Sequence, residues 1–136
     1  MIGVVFDTNI LISAAVFQKG HPFQCVTLAS EGKAESITCA EILSEFRAKL
    51  IEKFDHPPEK ADTIVETFKS FTRLVVIAGA VKEVEADPDD DKVIECAVAG
   101  KAALIVSGDK HLLRLKQVRQ VEIITAAEFV QRFKDE

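Results

Sequence analysis

The chain has 136 residues, 48% of them hydrophobic, with 17 Lys and Arg against 22 Asp and Glu and a formal net charge of −5. That length suits one domain spanning 1–136, and the apolar share suffices for a core without disulfide or metal staples. The negative charge argues against simple electrostatic coating of nucleic acid, though not against an enzyme whose acids hold cations. No apolar run is long enough for a membrane span and no charged-then-apolar leader opens the chain, so a cytoplasmic protein with no membrane partner is expected. Cys25, Cys39 and Cys96 are odd in number and scattered; they read as small buried hydrophobes in a reducing compartment.

Ile2, Val4, Val5 and Phe6 form a short β-branched and aromatic run that suits a strand buried on both faces. Asp7 ends it, and Thr8 and Asn9 are placed to cap a helix carrying Ile10, Leu11, Ala14 and Ala15 at helical spacing. Lys19-Gly20 interrupts that period, and Pro22 opens a second helix with Phe23, Val26, Thr27 and Ser30 on one face. After the turn Glu31-Gly32-Lys33, Ala34–Thr38 reads as a second strand. Thr38 and Glu41 have the spacing of a capping box, starting a helix that buries Ile42, Leu43, Phe46 and Leu50. His56-Pro57-Pro58 precedes a fourth helix with Ala61, Ile64, Val65, Phe68 and Phe71 in period.

Leu74–Ala78 is predicted as a third strand, followed by an acidic loop through Glu83 and Glu85. Asp87-Pro88 opens a helix that turns Val93, Ile94 and Ala97 inward and ends at Gly100. Ala103–Val106 is a fourth strand, and Ser107-Gly108-Asp109 turns into a short basic helix around Leu112 and Leu113. Val121–Ile124 is a fifth strand, and Thr125 with Glu128 forms a second capping box for a last helix bearing Phe129, Val130 and Phe133. Such alternation predicts a parallel sheet of about five strands covered on both faces, a three-layer α/β/α sandwich.

Four acidic positions then fall at the carboxyl edge of that sheet, where such folds keep their sites. Asp7 follows strand one and Asp109 follows strand four. Glu45 lies on the helix after strand two, and the run Asp87–Asp91 opens the helix after strand three. Three of them have an ordinary alternative: Asp7 as an N-cap, Glu45 as a solvated side chain, the run as dipole complement to a helix start. Helical phase puts Asp90 in line with Val93, Ile94 and Ala97, with Asp91 a quarter-turn away, so Asp90 is the first choice and Asp91 the second. Converging carboxylates repel unless cations sit between them, and oxygen ligands of this kind suit Mg²⁺ or Mn²⁺. Such a site fits phosphodiester chemistry, in which metal ions orient a water and neutralise the phosphate.

The stretches FDTNILIS at Phe6–Ser13, EILSEFRAKL at Glu41–Leu50, DPDDDKVIECA at Asp87–Ala97 and LIVSGDKHLL at Leu104–Leu113 together resemble the PIN-domain ribonucleases. Within that family they are most similar to VapC-like toxin components of toxin–antitoxin pairs. The resemblance covers essentially the whole chain. It implies a metal-dependent endoribonuclease with Asp7, Glu45, Asp90 and Asp109 as the acidic quartet, supported by hydrogen bonds from Asn9 and Ser107. It also implies Mg²⁺ or Mn²⁺, an RNA substrate, a cytoplasmic homodimer and a small cognate antitoxin. Asp89-Asp90-Asp91 leaves the third acid open by one position. The family also holds RNA-processing nucleases without an antitoxin and catalytically silent modules that bind a partner.

A phosphatase using Asp7 as nucleophile is disfavoured because Asn9 stands where a second Asp is common in such enzymes. A nucleotide-binding module lacks support, since there is neither a G-x-G-x-x-G turn nor a P-loop. Lys110, His111, Arg114, Lys116 and Arg119 place positive charge beside Asp109 and are expected either to meet RNA phosphates, chiefly through Lys110, Arg114 and Lys116, or to form a solvated helix face. His21, His56 and His111 are not expected to act as general bases, because cations that orient a water remove the need for one.

Overall fold

The computed structural model of the chain describes residues 1–78 and 89–134, the side chains of residues 89 and 90 excepted. Its strands are β1 (Gly3–Phe6), β2 (Glu35–Cys39), β3 (Thr72–Val75), β4 (Leu104–Val106), β5 (Gln117–Val118) and β6 (Val121–Ile124). The helices are α1 (Thr8–Phe17), α2 (Gly20–Ser30), α3 (Ala40–Glu52), α4 (Pro58–Lys69), α5 (Asp89–Ala99), α6 (Lys110–Leu115) and α7 (Ala126–Lys134). They build one mixed sheet in the order β3-β2-β1-β4-β6-β5, parallel throughout except for β5 against β6. Among the described residues no helix is long and apolar enough to cross a membrane.

Burial explains why β1 occupies the middle. Val4 and Val5 are fully buried and Phe6 nearly so, as are Ile105 and Val106 of β4 beside them. A strand with no polar face needs neighbours on both edges and helices on both sides. From β1 the chain steps outward to β2 and then β3, and afterwards crosses back to β4 and onward to β6. Right-handed crossovers therefore put α1–α4 on one face and α5 and α6 on the other. The contacts agree: α5 packs on β1, β2 and β4, while α7 returns to pack on α2. Phe129 of α7 meets Phe6 edge-on at 5.9 Å, which fixes the last helix against the central strand. The direction of winding reverses between β1 and β4, and their carboxyl ends flank the crevice this creates.

Several expectations shift. Thr38 and Glu41 do not form a capping box: β2 runs on to Cys39, which occupies the N-cap of α3, and the buried Thr38 hydroxyl has no hydrogen-bond partner. One extra strand residue turns Thr38 into the sheet instead of onto the helix. The second box does close, with the Glu128 N–H donating to Thr125 Oγ1 at 3.1 Å and the Thr125 N–H donating to Glu128 Oε1 at 3.5 Å. The third strand begins two residues earlier than predicted and lies at the sheet edge, so Leu74 is 53% exposed despite its apolar character. The two-residue β5 carried no periodicity to find. The expected acidic loop through Glu83 and Glu85 and the Asp87-Pro88 helix start lie outside the described residues.

On α2 the buried residues are Cys25 and Ala29. The face predicted from Phe23, Val26, Thr27 and Ser30 instead lines an open apolar groove of about 390 Å³, shared with Leu11 of α1 and with Ile64 of α4. All three cysteines are free and buried. The Cys25 thiol donates to the Ala126 carbonyl at 3.4 Å, and burial pushes its pKa up to about 12, as befits a packing residue.

Gly100 does follow α5, but the left-handed residue there is Lys101, at φ 57°. What Gly100 satisfies is packing, since a Cβ at that position would stand 2.6 Å from Ile37 Cγ2 of β2. Gly100→Ala should therefore destabilise the protein by about 1–3 kcal/mol in urea unfolding. Gly108→Ala, whose added Cβ meets nothing within 4 Å, should change stability by no more than about 0.5 kcal/mol.

Candidate active site

Asp7 leaves β1 with extended backbone (φ −60°, ψ 151°) at the N-cap position of α1, yet its carboxylate closes no cap. It is 4% exposed, and the Ser107 hydroxyl donates to its Oδ2 at 2.8 Å. Ser107, at the end of β4, in turn accepts the Asp109 N–H at 2.9 Å. One serine thus ties the ends of β1 and β4 together across the crevice. The capping task belongs to Asp109, whose Oδ1 accepts from the N–H groups of His111 at 2.7 Å and Leu112 at 3.4 Å.

Glu45 approaches from α3, with its carboxylate Oε2 3.0 Å from Lys92 Nζ of α5. Lys49, one turn after Glu45, donates to Asn9 Oδ1 at 3.3 Å. Of the two residues expected to support the acids, Ser107 bonds to Asp7 directly, whereas Asn9 engages Lys49. Asp91 is buried in the first turn of α5 next to Lys92, at 7% exposure. Asp90, the first choice from helical phase, has its side chain outside the described residues. Phase discriminates poorly on this helix: Asp91, Val93, Ile94, Glu95, Cys96 and Ala97 are all buried, so α5 has no single inward face. Glu95 was not anticipated either; its Oε1 accepts the Ala78 N–H at 3.2 Å.

The charges act on one another. Burial raises the Asp7 pKa; the Ser107 hydroxyl and Thr8 amide oppose this, and the negative charges of Glu45 and Asp109 add to it. Burial alone would raise Glu45 as well. There the Thr8 hydroxyl, Lys92 and Lys49 outweigh it and hold the carboxyl below the usual range. Thr8 Oγ1 is buried and faces this carboxylate without closing a hydrogen bond of good geometry. Asp7, Glu45 and Asp109 therefore share one field at the head of the crevice.

Among the described residues no three His, Cys, Asp or Glu side chains are gathered into a ready-made metal cage. The donor chemistry nevertheless fits a hard divalent cation. The Glu45 and Asp109 carboxylates are both near enough to act on Asp7, and the Thr8 hydroxyl beside Glu45 offers a further oxygen.

The chain matches the family model of the PIN domain over residues 3–111, a span that includes all of these acids, and it belongs to that family. PIN domains are in general nucleases. The chain is also 29% identical over 144 aligned positions to MJ1680, an uncharacterised protein of Methanocaldococcus jannaschii, covering 98% of this chain and 92% of that one. Its fold is similar to the crystal structure of VapBC2 from Rickettsia felis bound to a DNA fragment from their promoter. That match has a TM-score of 0.67 and 14% identity, over 91% of this chain and 98% of the other.

Because Asp7 is held above its ordinary pKa, the native metal-free protein binds its proton more tightly than the unfolded chain does. The resulting penalty is complete at neutral pH and is relieved as pH falls through the folded pKa towards the unfolded one. Asp7→Asn should accordingly be more stable than the parent at pH 7 without metal. Urea unfolding at pH 7 and pH 4 should show that advantage shrinking at the acid end.

Proposed function

We propose that this chain is a Mg²⁺- or Mn²⁺-dependent endoribonuclease acting as the toxin of a toxin–antitoxin pair. The observation that carries the reading is the Ser107 bridge, which holds Asp7 at the end of β1 and the Asp109 backbone after β4 in one hydrogen-bonded unit beside Glu45. Asp7, Glu45 and Asp109 hold the cations together with a third acid from α5. Asp90 or Asp91 supplies that third acid, and the burial of Asp91 supports the latter. Bound cations would supply a nucleophilic water and neutralise charge on the phosphodiester. Ser107 keeps Asp7 oriented while the cations come and go.

Lys110, Arg114 and Lys116 are exposed on and just beyond α6, the helix that Asp109 caps. They meet RNA phosphates. The apolar groove between α2 and α4 supports a protein partner, here a small cognate antitoxin. The cytoplasmic homodimer is what the family resemblance implies.

The test is cleavage of RNA by the purified protein with Mg²⁺, Mn²⁺ or chelator. Asp7→Asn, Glu45→Gln and Asp109→Asn should each lower the rate at least about 100-fold, a loss typical of removing one preorganised group. Of Asp90→Asn and Asp91→Asn, the one that abolishes cleavage identifies the third acid. Mn²⁺ should raise the melting temperature of the parent by mass action and that of Asp7→Asn much less. Asp7→Asn cleaving with unchanged metal dependence would show that the site has been misassigned. His21→Gln, His56→Gln and His111→Gln should stay within several-fold of the parent. Replacing Arg114 and Lys116 with Gln should weaken RNA binding and flatten its salt dependence.

A further inference from the structure

We infer that Lys92 is a substrate-phosphate contact: its ammonium neutralises Glu45 in the resting protein and meets the phosphodiester when substrate arrives. This rests on the nuclease reading above and extends it to a residue outside the acidic set. The Lys92–Glu45 pair is more buried than four other ion pairs of the described residues. Its side chains are 19% and 22% exposed, whereas those of Arg47–Asp62, Lys69–Glu66, Arg73–Glu35 and Arg132–Glu122 are all at least 43% exposed.

A partly buried ion pair is a poor way to hold two helices together, because desolvation cancels much of the attraction. Nor do α3 and α5 need it. Each is anchored in the core by its own apolar residues, Ile42, Phe46 and Leu50 on the first and Val93, Ile94 and Ala97 on the second. What the pair does achieve is to set a cation 3.0 Å from a carboxylate of the candidate site. Lys49, bonded to Asn9, lies on the same side and lowers Glu45 as well. An ammonium has three donors and one flexible stem, so Lys92 retains donors for a second anion while it faces Glu45. A phosphodiester reaching Asp7 and Glu45 passes beside that ammonium, and its negative charge is what the lysine is left to meet once Glu45 is engaged by a divalent cation. The exposed basic residues on and just beyond α6, the helix that Asp109 caps, add further positive charge next to the same acid.

The experiment compares the parent with Lys92→Met, Lys92→Gln and Lys92→Arg by two readouts: the Mn²⁺-induced rise in melting temperature, and the kcat and KM for cleavage of a short single-stranded RNA. Lys92→Met and Lys92→Gln should keep the Mn²⁺-induced rise and lose about 100-fold in kcat/KM. Lys92→Arg, which keeps the charge on a different head group, should recover to within about tenfold of the parent. Lys92→Gln retains a polar partner for Glu45 and carries the same expectation should Lys92→Met fold poorly. Lys69→Met, the same charge change on the far side of the molecule at the end of α4, should leave both readouts unchanged. Neutral variants that cleave like the parent would overturn the inference. So would neutral variants that lose the Mn²⁺-induced rise, because the lysine would then serve only to hold Glu45 for the cation. A parent that neither responds to Mn²⁺ nor cleaves RNA would instead refute the nuclease reading itself.

Discussion

The molecule depends on burying one carboxylate at the end of its most apolar strand. Asp7 follows Val4, Val5 and Phe6 without a break, so the geometry that seals those side chains in the core also draws the acid out of water. An unpaired charge there would cost several kcal/mol. The fold offsets this with the Ser107 hydroxyl at 2.8 Å, delivered by the neighbouring strand β4. That bond is available only because the sheet order sets β4 directly beside β1, and that order in turn requires the long return crossover carrying α5. Strand order, helix placement and site chemistry are in this sense one problem.

The residual strain has a functional reading. A raised Asp7 and a buried Thr8 hydroxyl that closes no hydrogen bond of good geometry are poorly satisfied by the protein alone, beside a Glu45 that the Thr8 hydroxyl, Lys92 and Lys49 hold ionised. Natural folds tolerate such local costs chiefly where a ligand relieves them. The same arrangement on an ordinary surface would have been resolved by exposure to water. Here the ends of β1, α3 and α5 draw it largely out of water, with Asp7 buried and the Glu45 and Lys92 side chains only partly exposed.

Much of the architecture was legible in the chain. The alternation of apolar β-branched runs with helical periods announced a parallel sheet between helix layers, and all five predicted strands exist. The resemblance of four stretches to PIN-domain nucleases agrees with the family match over residues 3–111. Errors came where a local signal had a competitor. Thr38 and Glu41 have the spacing of a capping box, but strand pairing with β1 and β3 holds Thr38 in the sheet. Leu74 is apolar yet lies on an edge strand, where half of it meets solvent. Gly100 ends a helix as expected, although the constraint on it is the Ile37 side chain 63 positions earlier, which no local rule contains.

By itself the sequence determined the class of fold and which acids stand at strand ends, because hydrophobic period and turn chemistry are local and short in range. Only the tertiary structure decided how those acids are held. It assigned Ser107 to Asp7 across 100 residues and Lys92 to Glu45 across 47. It also gave the capping role to Asp109 and not to Asp7. The physical reason is that a hydrogen bond or an ion pair forms between groups a few ångströms apart, and separation along the chain carries no record of that distance until the sheet has brought the strand ends together.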